Sequence, residues 1–146
     1  MPAGREGASG MERNCFSLEM AVRDYECDMQ GVVNNAVYQH YLEHARHEYL
    51  KSLGIDFAAI TARGINLVVT RVEIDYRMSL TSGDRFIVTV EPRRISPLRI
   101  GFRQTILRLP DRKTAVMAQV TGTSLNAKGR PQLAVELDQL LKDIRE

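Results

Sequence analysis

The chain has 146 residues and a formal net charge of +2, and its 44% hydrophobic and 26% charged residues are ordinary for a globular protein. That length holds one domain with a real core, not two independent ones. No apolar run is long enough to span a bilayer, and Cys15 and Cys27 are too few for a disulfide framework and lack metal-type spacing. The charge is unevenly spread: Arg85 to Pro131 carries ten basic residues against two acids, Glu91 and Asp111, so the remainder is acidic. Such a segment is either the solvated face of strands or a surface for a compact polyanion or an acidic protein. Its only aromatics are Phe86 and Phe102, and no nucleic-acid module is present, so nucleic acid is not an expected partner.

Residues 1–13 are Gly-, Ala- and Ser-containing and polar, without the apolar stretch of a secretory signal. They read as a disordered leader or expression remnant, with a single domain over 14–146 and a cytoplasmic location as the default. Phe16, Leu18, Met20 and Val22 alternate with Ser17, Glu19, Ala21 and Arg23, the period of a half-buried strand. Asp28 to Val33 is then a loop hinged at Gly31, with Asn34 or Asn35 as the N-cap of a helix. From Ala36 to about Leu53 the apolar positions Val37, Tyr38, Tyr41, Leu42, Ala45, Tyr49 and Leu53 recur at helical spacing, and Gly54 stands where a helix-ending residue belongs.

Past a short segment through Gly64 the pattern turns to strands. Val68, Val72, Ile74 and Tyr76 alternate with Val69, Arg71, Glu73, Asp75 and Arg77. Ser82-Gly83-Asp84 is a turn, and Phe86, Val88 and Val90 open the next strand. Pro92 and Pro97 bracket an irregular or edge stretch. Arg99 to Leu109 and Thr114 to Leu125 form two more strands, and Leu137, Leu140, Leu141 and Ile144 mark an amphipathic terminal helix. One strand, one long helix and four strands in succession imply an α+β fold, the helix on an antiparallel sheet whose edges oligomerisation would cover.

Asp28 is the most informative residue. An Asp before a helix-opening loop is commonly a turn former. Here it is also a lone carboxylate seven residues ahead of a long helix whose first N–H groups have no intrahelical acceptor and carry partial positive charge. A carbonyl bound there is polarised, with a carboxylate beside it to attack or to activate water, which suits hydrolysis of an activated acyl group. His40, His44 and His47 share a helix face, but their spread along the axis fits a solvated or interface face better than one metal site, and no metal is expected. Glu43 either pairs with Arg46 or His47 or acts as a second carboxylate over the middle of the helix. Cys27 alternates away from Asp28 and is set aside as a nucleophile. Lys128-Gly129-Arg130 forms a turn able to clamp phosphates. There is no Walker loop, no Gly-x-Ser-x-Gly elbow and no dinucleotide fingerprint.

Assembled in this way, the chain resembles the hot-dog-fold acyl-CoA thioesterases of the 4-hydroxybenzoyl-CoA thioesterase type. The likeness rests on Val22-Arg23-Asp24-Tyr25-Glu26-Cys27-Asp28-Met29-Gln30-Gly31-Val32-Val33-Asn34-Asn35 and then on Tyr38, Tyr41, Leu42, Glu43, Ala45 and Arg46, and it covers about Phe16 to Pro131. The Asn-Asn-Ala-Val-Tyr form is similar to the plant and cyanobacterial branch acting on acyl-carrier-protein or dihydroxynaphthoyl-CoA thioesters. The resemblance implies a long central helix wrapped by a curved antiparallel sheet, in homodimers or homotetramers with active sites at the subunit interface. It makes Asp28 the catalytic carboxylate and the Asn35 backbone N–H the thioester-polarising donor, with close approach at Gly31 and Tyr38 lining the acyl pocket. Glu43 and Arg46 of the helix pattern join the substrate-binding set. So do Lys128 and Arg130, with Arg93, Arg94 and Arg99 behind them, to meet the phosphates of CoA. No cofactor is implied. A non-catalytic acyl-CoA-binding module and a dehydratase of the same fold are the competing readings.

Overall fold

The computed structural model describes residues 15–144, so the leader reading of 1–13 lies outside the described residues. Strand β1 (Phe16–Ala21) and a short 3-10 turn (Asp24–Glu26) precede the long helix α1 (Asn35–Ser52). A second helix α2 (Phe57–Ala62) leads into β2 (Asn66–Tyr76), β3 (Arg85–Ser96), β4 (Arg99–Arg108) and β5 (Lys113–Leu125), and α3 (Val135–Asp143) follows. The strands form one sheet in the order β1-β3-β4-β5-β2, every pair antiparallel. β1 and β2 are therefore its edges.

Local chemistry accounts for the start and end of α1. Asn34 is the N-cap, its side-chain oxygen accepting from the Ala36 N–H at 2.9 Å. At the other end Gly54 lies at φ +82°, its N–H donating to the Lys51 carbonyl while the Ile55 N–H donates to that of Leu50. This double closure needs a left-handed residue, which glycine adopts without a Cβ clash. Tyr38, Tyr41, Leu42, Ala45, Tyr49 and Leu50 form the buried stripe of α1, packed over Phe86, Val88 and Val90 of β3. The helix packs most closely on β3 and β1, and its first turns also meet β2, where the Tyr38 ring lies edge-on to Tyr76.

Three features depart from the sequence pattern. The short segment ahead of Gly64 contains a helix, α2, which Asp56 caps by accepting from the Ala59 N–H at 3.1 Å. Pro92 does not end β3, which runs through to Ser96. β1 pairs with β3 as far as Val90, so among the described residues β3 beyond that point has β4 as its one neighbour and a missing N–H is tolerated. Finally, β2 carries a bulge at Thr70: Val69 pairs with Gly122, Arg71 with Thr121 and Val72 with Val120. Simple alternation sends Val69 and Val72 to opposite faces, whereas the extra residue turns both toward the face that holds α1. The terminal helix is as expected, with Leu137, Leu140 and Leu141 buried, and a bidentate Arg63–Glu136 ion pair at 2.8 and 3.0 Å joins α2 to α3.

Candidate functional site

Asp28 opens a tight hairpin that feeds directly into α1. Its N–H donates to the Val32 carbonyl at 2.9 Å, and its carbonyl accepts from the Gly31 N–H at 3.0 Å. Gly31 sits at φ +82°, the left-handed residue of a three-residue hairpin loop. Cys27 bridges to Val33, and the Asn34 N–H donates to the Glu26 carbonyl. Two pairs of the hairpin, about 7 Å of strand, thus separate Asp28 from the residue that caps the helix. The carboxylate divides its work. Oδ1 accepts from the Gln30 N–H at 2.9 Å and from the Val32 N–H at 3.4 Å, which is the turn-forming role. Among the described residues no donor reaches Oδ2.

At the first turn of α1 the donors are similarly divided. The Ala36 N–H is taken by Asn34, and the Val37 N–H by the Asn34 carbonyl at 2.9 Å. Among the described residues no acceptor is bonded to the Asn35 N–H, which leaves it available at the positive end of the helix. The hairpin is tied to the body of α1 by Glu26, whose side chain is only 12% exposed. Its Oε1 accepts from the Tyr41 hydroxyl at 2.7 Å and from the Arg23 N–H at 2.8 Å. Burial, together with the bond to Glu26, drives the Tyr41 hydroxyl far above its ordinary pKa and keeps it a donor. Desolvation first, then the carboxylates of Asp24, Asp28 and Glu26, raises the Cys27 thiol. A thiol kept protonated is a poor nucleophile.

The remaining candidates fall into separate groups. Asp28 is exposed, and beside it Met29 is fully exposed. Tyr38 is not a pocket-lining residue of the protomer: it is 2% exposed, its ring packs edge-on to Tyr41 and Tyr76, and its hydroxyl oxygen accepts from the Leu80 N–H. The expected Glu43–Arg46 pairing also gives way. Arg46 donates instead to Gln104 Oε1 at 3.1 Å, and Gln104, completely buried, donates to the Leu42 carbonyl at 3.0 Å. Burial lowers the pKa of Arg46 while the Glu43 charge raises it. Among the described residues Glu43 has no ion-pair partner. Arg93 and Arg94 line a cleft of about 960 Å³ against α3, with Arg94 paired to Asp138 at 2.6 Å. Arg99 is exposed. Lys128 and Arg130 stand in a turn built by Asn126, whose side-chain oxygen accepts from both of their N–H groups. Asp56 ahead of Phe57 was a capping signal for α2, but nothing in the pattern marks the bulge at Thr70.

Comparison with known proteins bears on the family and the fold. Residues 22–144 match the family profile of the Thioesterase-like superfamily, and the chain belongs to that family. Over 114 residues it is 41% identical to the chloroplastic acyl-acyl carrier protein thioesterase ATL2 of Arabidopsis thaliana, covering 78% of this chain and 61% of that one. The chain thus spans about three-fifths of that relative's length. It is 28% identical to the long-chain acyl-CoA thioesterase FadM of Escherichia coli, covering 87% of this chain and all of FadM. The fold matches that of Slr0204, a 1,4-dihydroxy-2-naphthoyl-CoA thioesterase from Synechocystis, with TM-score 0.83 at 20% identity, over 89% of this chain and 97% of the other. The hot-dog α+β fold expected from the loop-and-helix motif is the fold observed.

Proposed function

We propose that the protein is a hydrolase of acyl-acyl carrier protein or acyl-CoA thioesters, releasing the free acid and the thiol. One observation supports this reading: two hairpin pairs ahead of the α1 cap, Asp28 keeps a carboxylate oxygen that no described residue engages, and the Asn35 N–H at the helix opening is likewise left without an acceptor among the described residues. The thioester carbonyl oxygen accepts from the Asn35 N–H, and the positive end of α1 stabilises the oxyanion as it forms. Asp28 Oδ2 attacks the carbonyl carbon or takes a proton from an attacking water. The C–S bond breaks, the acyl carbon gains the elements of hydroxide from water, and the remaining proton goes to the departing thiolate. Oδ1, held by Gln30 and Val32, keeps the carboxylate aimed.

In this reading a second copy completes the site. Among the described residues β2 is an edge of eleven residues with β5 as its one neighbour, and Asp28 and Met29 stand exposed at the hairpin tip. Homodimers, alone or paired into tetramers, would cover both. Gly31 lets a ligand approach the backbone, and the basic groups at Lys128 and Arg130 and at Arg93, Arg94 and Arg99 serve the phosphates of CoA or of a carrier-bound pantetheine arm. A cytoplasmic location belongs to the same proposal.

Asp28→Asn lowers hydrolysis by at least about 10²-fold, with an unchanged melting temperature. Equal turnover of a panel of short, long and aromatic thioesters by the variant and the wild type would falsify the role of Asp28. The exposure of Asp28 in a single chain favours one competitor, a non-catalytic acyl-CoA-binding module. That competitor is identified by acyl-CoA binding in a calorimeter without thiol release.

A further inference from the structure

Glu26 is a largely buried carboxylate that takes no part in the proposed reaction. Taking a carboxylate out of water is costly unless donors replace the hydration it loses. Here Oε1 accepts from the Tyr41 hydroxyl at 2.7 Å and from the Arg23 N–H at 2.8 Å, and the Arg23 guanidinium lies 3.8 Å from Oε2. An apolar side chain would fill the same place at less cost, so packing alone does not call for an acid. What the acid adds is a directed bond from the hairpin to the second turn of α1.

That bond acts close to Asp28. Among the described residues, the donors to the Asp28 carboxylate are the Gln30 and Val32 N–H groups of its own loop, so the carboxylate moves with the hairpin. Two tyrosines three residues apart on α1, and so on one face of it, secure the two arms of that hairpin. The Tyr38 hydroxyl accepts from the Leu80 N–H, and the Leu80 carbonyl accepts from the Val33 N–H of the arm that enters the helix. The Tyr41 hydroxyl donates to Glu26, on the arm that leads to Asp28. The Glu26 carbonyl also accepts from the N–H of Asn34, the helix cap. We propose that Glu26 and Tyr41 are positioning residues, their bond fixing where the Asp28 carboxylate stands relative to the Asn35 N–H. The inference rests on the thioester reading, in which those two groups flank the carbonyl. Asp28 lies two residues, about 7 Å of extended chain, beyond Glu26, so a small rotation of that arm displaces the carboxylate. A misplacement of about 1 Å costs about 10²-fold in rate. The Tyr41 ring, buried 4.6 Å from that of Phe86, gives the tether a rigid anchor.

The test measures kcat and KM on the thioester panel, together with hydrogen exchange of residues 27–33 by mass spectrometry, with circular dichroism confirming the fold of each variant. Tyr41→Phe keeps the ring against Phe86 and removes the hydroxyl; it lowers kcat by about tenfold or more while KM stays within about twofold. Glu26→Ala does the same. Glu26→Gln keeps an oxygen able to accept both bonds and holds kcat within about threefold of wild type. Combining Tyr41→Phe with Glu26→Ala lowers kcat no further than either alone, as expected of two residues acting through one bond. Exchange over 27–33 rises in Tyr41→Phe and Glu26→Ala and not in Glu26→Gln. A purely structural pair would lower the melting temperature and leave kcat of the folded enzyme unaltered. That result, unchanged exchange in the hairpin, or a loss in Glu26→Gln as deep as in Glu26→Ala would overturn the positioning role. Asp28-dependent turnover beside unaltered kcat in Tyr41→Phe and Glu26→Ala would keep the hydrolase reading and sink this inference alone. Absence of turnover by the wild type would sink the hydrolase reading and the inference built on it.

Discussion

The two halves of the sheet's inner face differ in what covers them. On the β1–β3 side, Phe86, Val88 and Val90 are completely buried under Tyr41, Tyr49 and the rest of the apolar stripe of α1. On the β5–β2 side, Val116, Ala118 and Val120 of β5 are buried as well, but along the edge strand Val69 and Val72 of β2 remain 50% and 37% exposed although the bulge turns both inward. The first half is a packed core. In the second, an apolar strip along β2 stays open in the single chain, and burying it would add stability. The candidate site lies where the two halves meet, at the opening of α1. The closed half holds the helix, and the open half gives a ligand somewhere to go.

Substitutions on either side sharpen that contrast. Phe86→Ala removes a buried ring that lies 4.6 Å from Tyr41 and should cost about 3–5 kcal/mol. Val72→Ala on the open half should cost less than about 1 kcal/mol. Urea denaturation of the two variants reads the difference directly, and equal losses would mean that the open half is as tightly packed as the closed one.

Gln104 sits on the boundary, holding Arg46 on one side and the Leu42 carbonyl on the other. Gln104→Leu leaves both without that partner and should cost about 1–3 kcal/mol. A melting curve matching wild type would show that Arg46 does not need this support.

The smallest effect is expected at the far end, where hydrogen bonding from Arg63 holds Glu136 below the usual carboxylate range. A carboxyl group with a lower pKa in the folded state contributes stability above its unfolded pKa, about 4.3, and loses it as pH falls through the folded value. The pair is substantially exposed, so Glu136→Gln should cost less than about 1 kcal/mol at neutral pH. That difference should vanish in acid. A gap that persists below the carboxylate range would point to packing, not charge, as the tie between α2 and α3.

Periodicity in the chain made the long helix legible, along with its Asn cap, its Gly54 stop, the run of four strands and the buried stripe of α3. These are local: each depends on residues within one or two turns, and side-chain direction follows from 3.6- and 2-residue repeats. The loop motif pointed to Asp28 and Asn35 for the same reason, since hairpin and cap are adjacent in sequence. Other features were not legible. Tyr38 has the spacing of a core residue and the resemblance made it a pocket residue, but only packing shows its hydroxyl taken by Leu80. Glu43 and Arg46 stand at ion-pair spacing, yet Gln104, fifty-eight residues from Arg46, binds the guanidinium.

The sequence by itself determined the elements, their order and the residues of the hairpin–helix junction, because short-range spacing sets backbone conformation and which side chains share a face. Tertiary structure alone decided which strands α1 packs on most closely, where the Thr70 bulge breaks alternation and which distant partner satisfies Arg46 and Gln104. Those outcomes depend on strand pairing and close packing between segments far apart in the chain, where one inserted residue reverses a whole face.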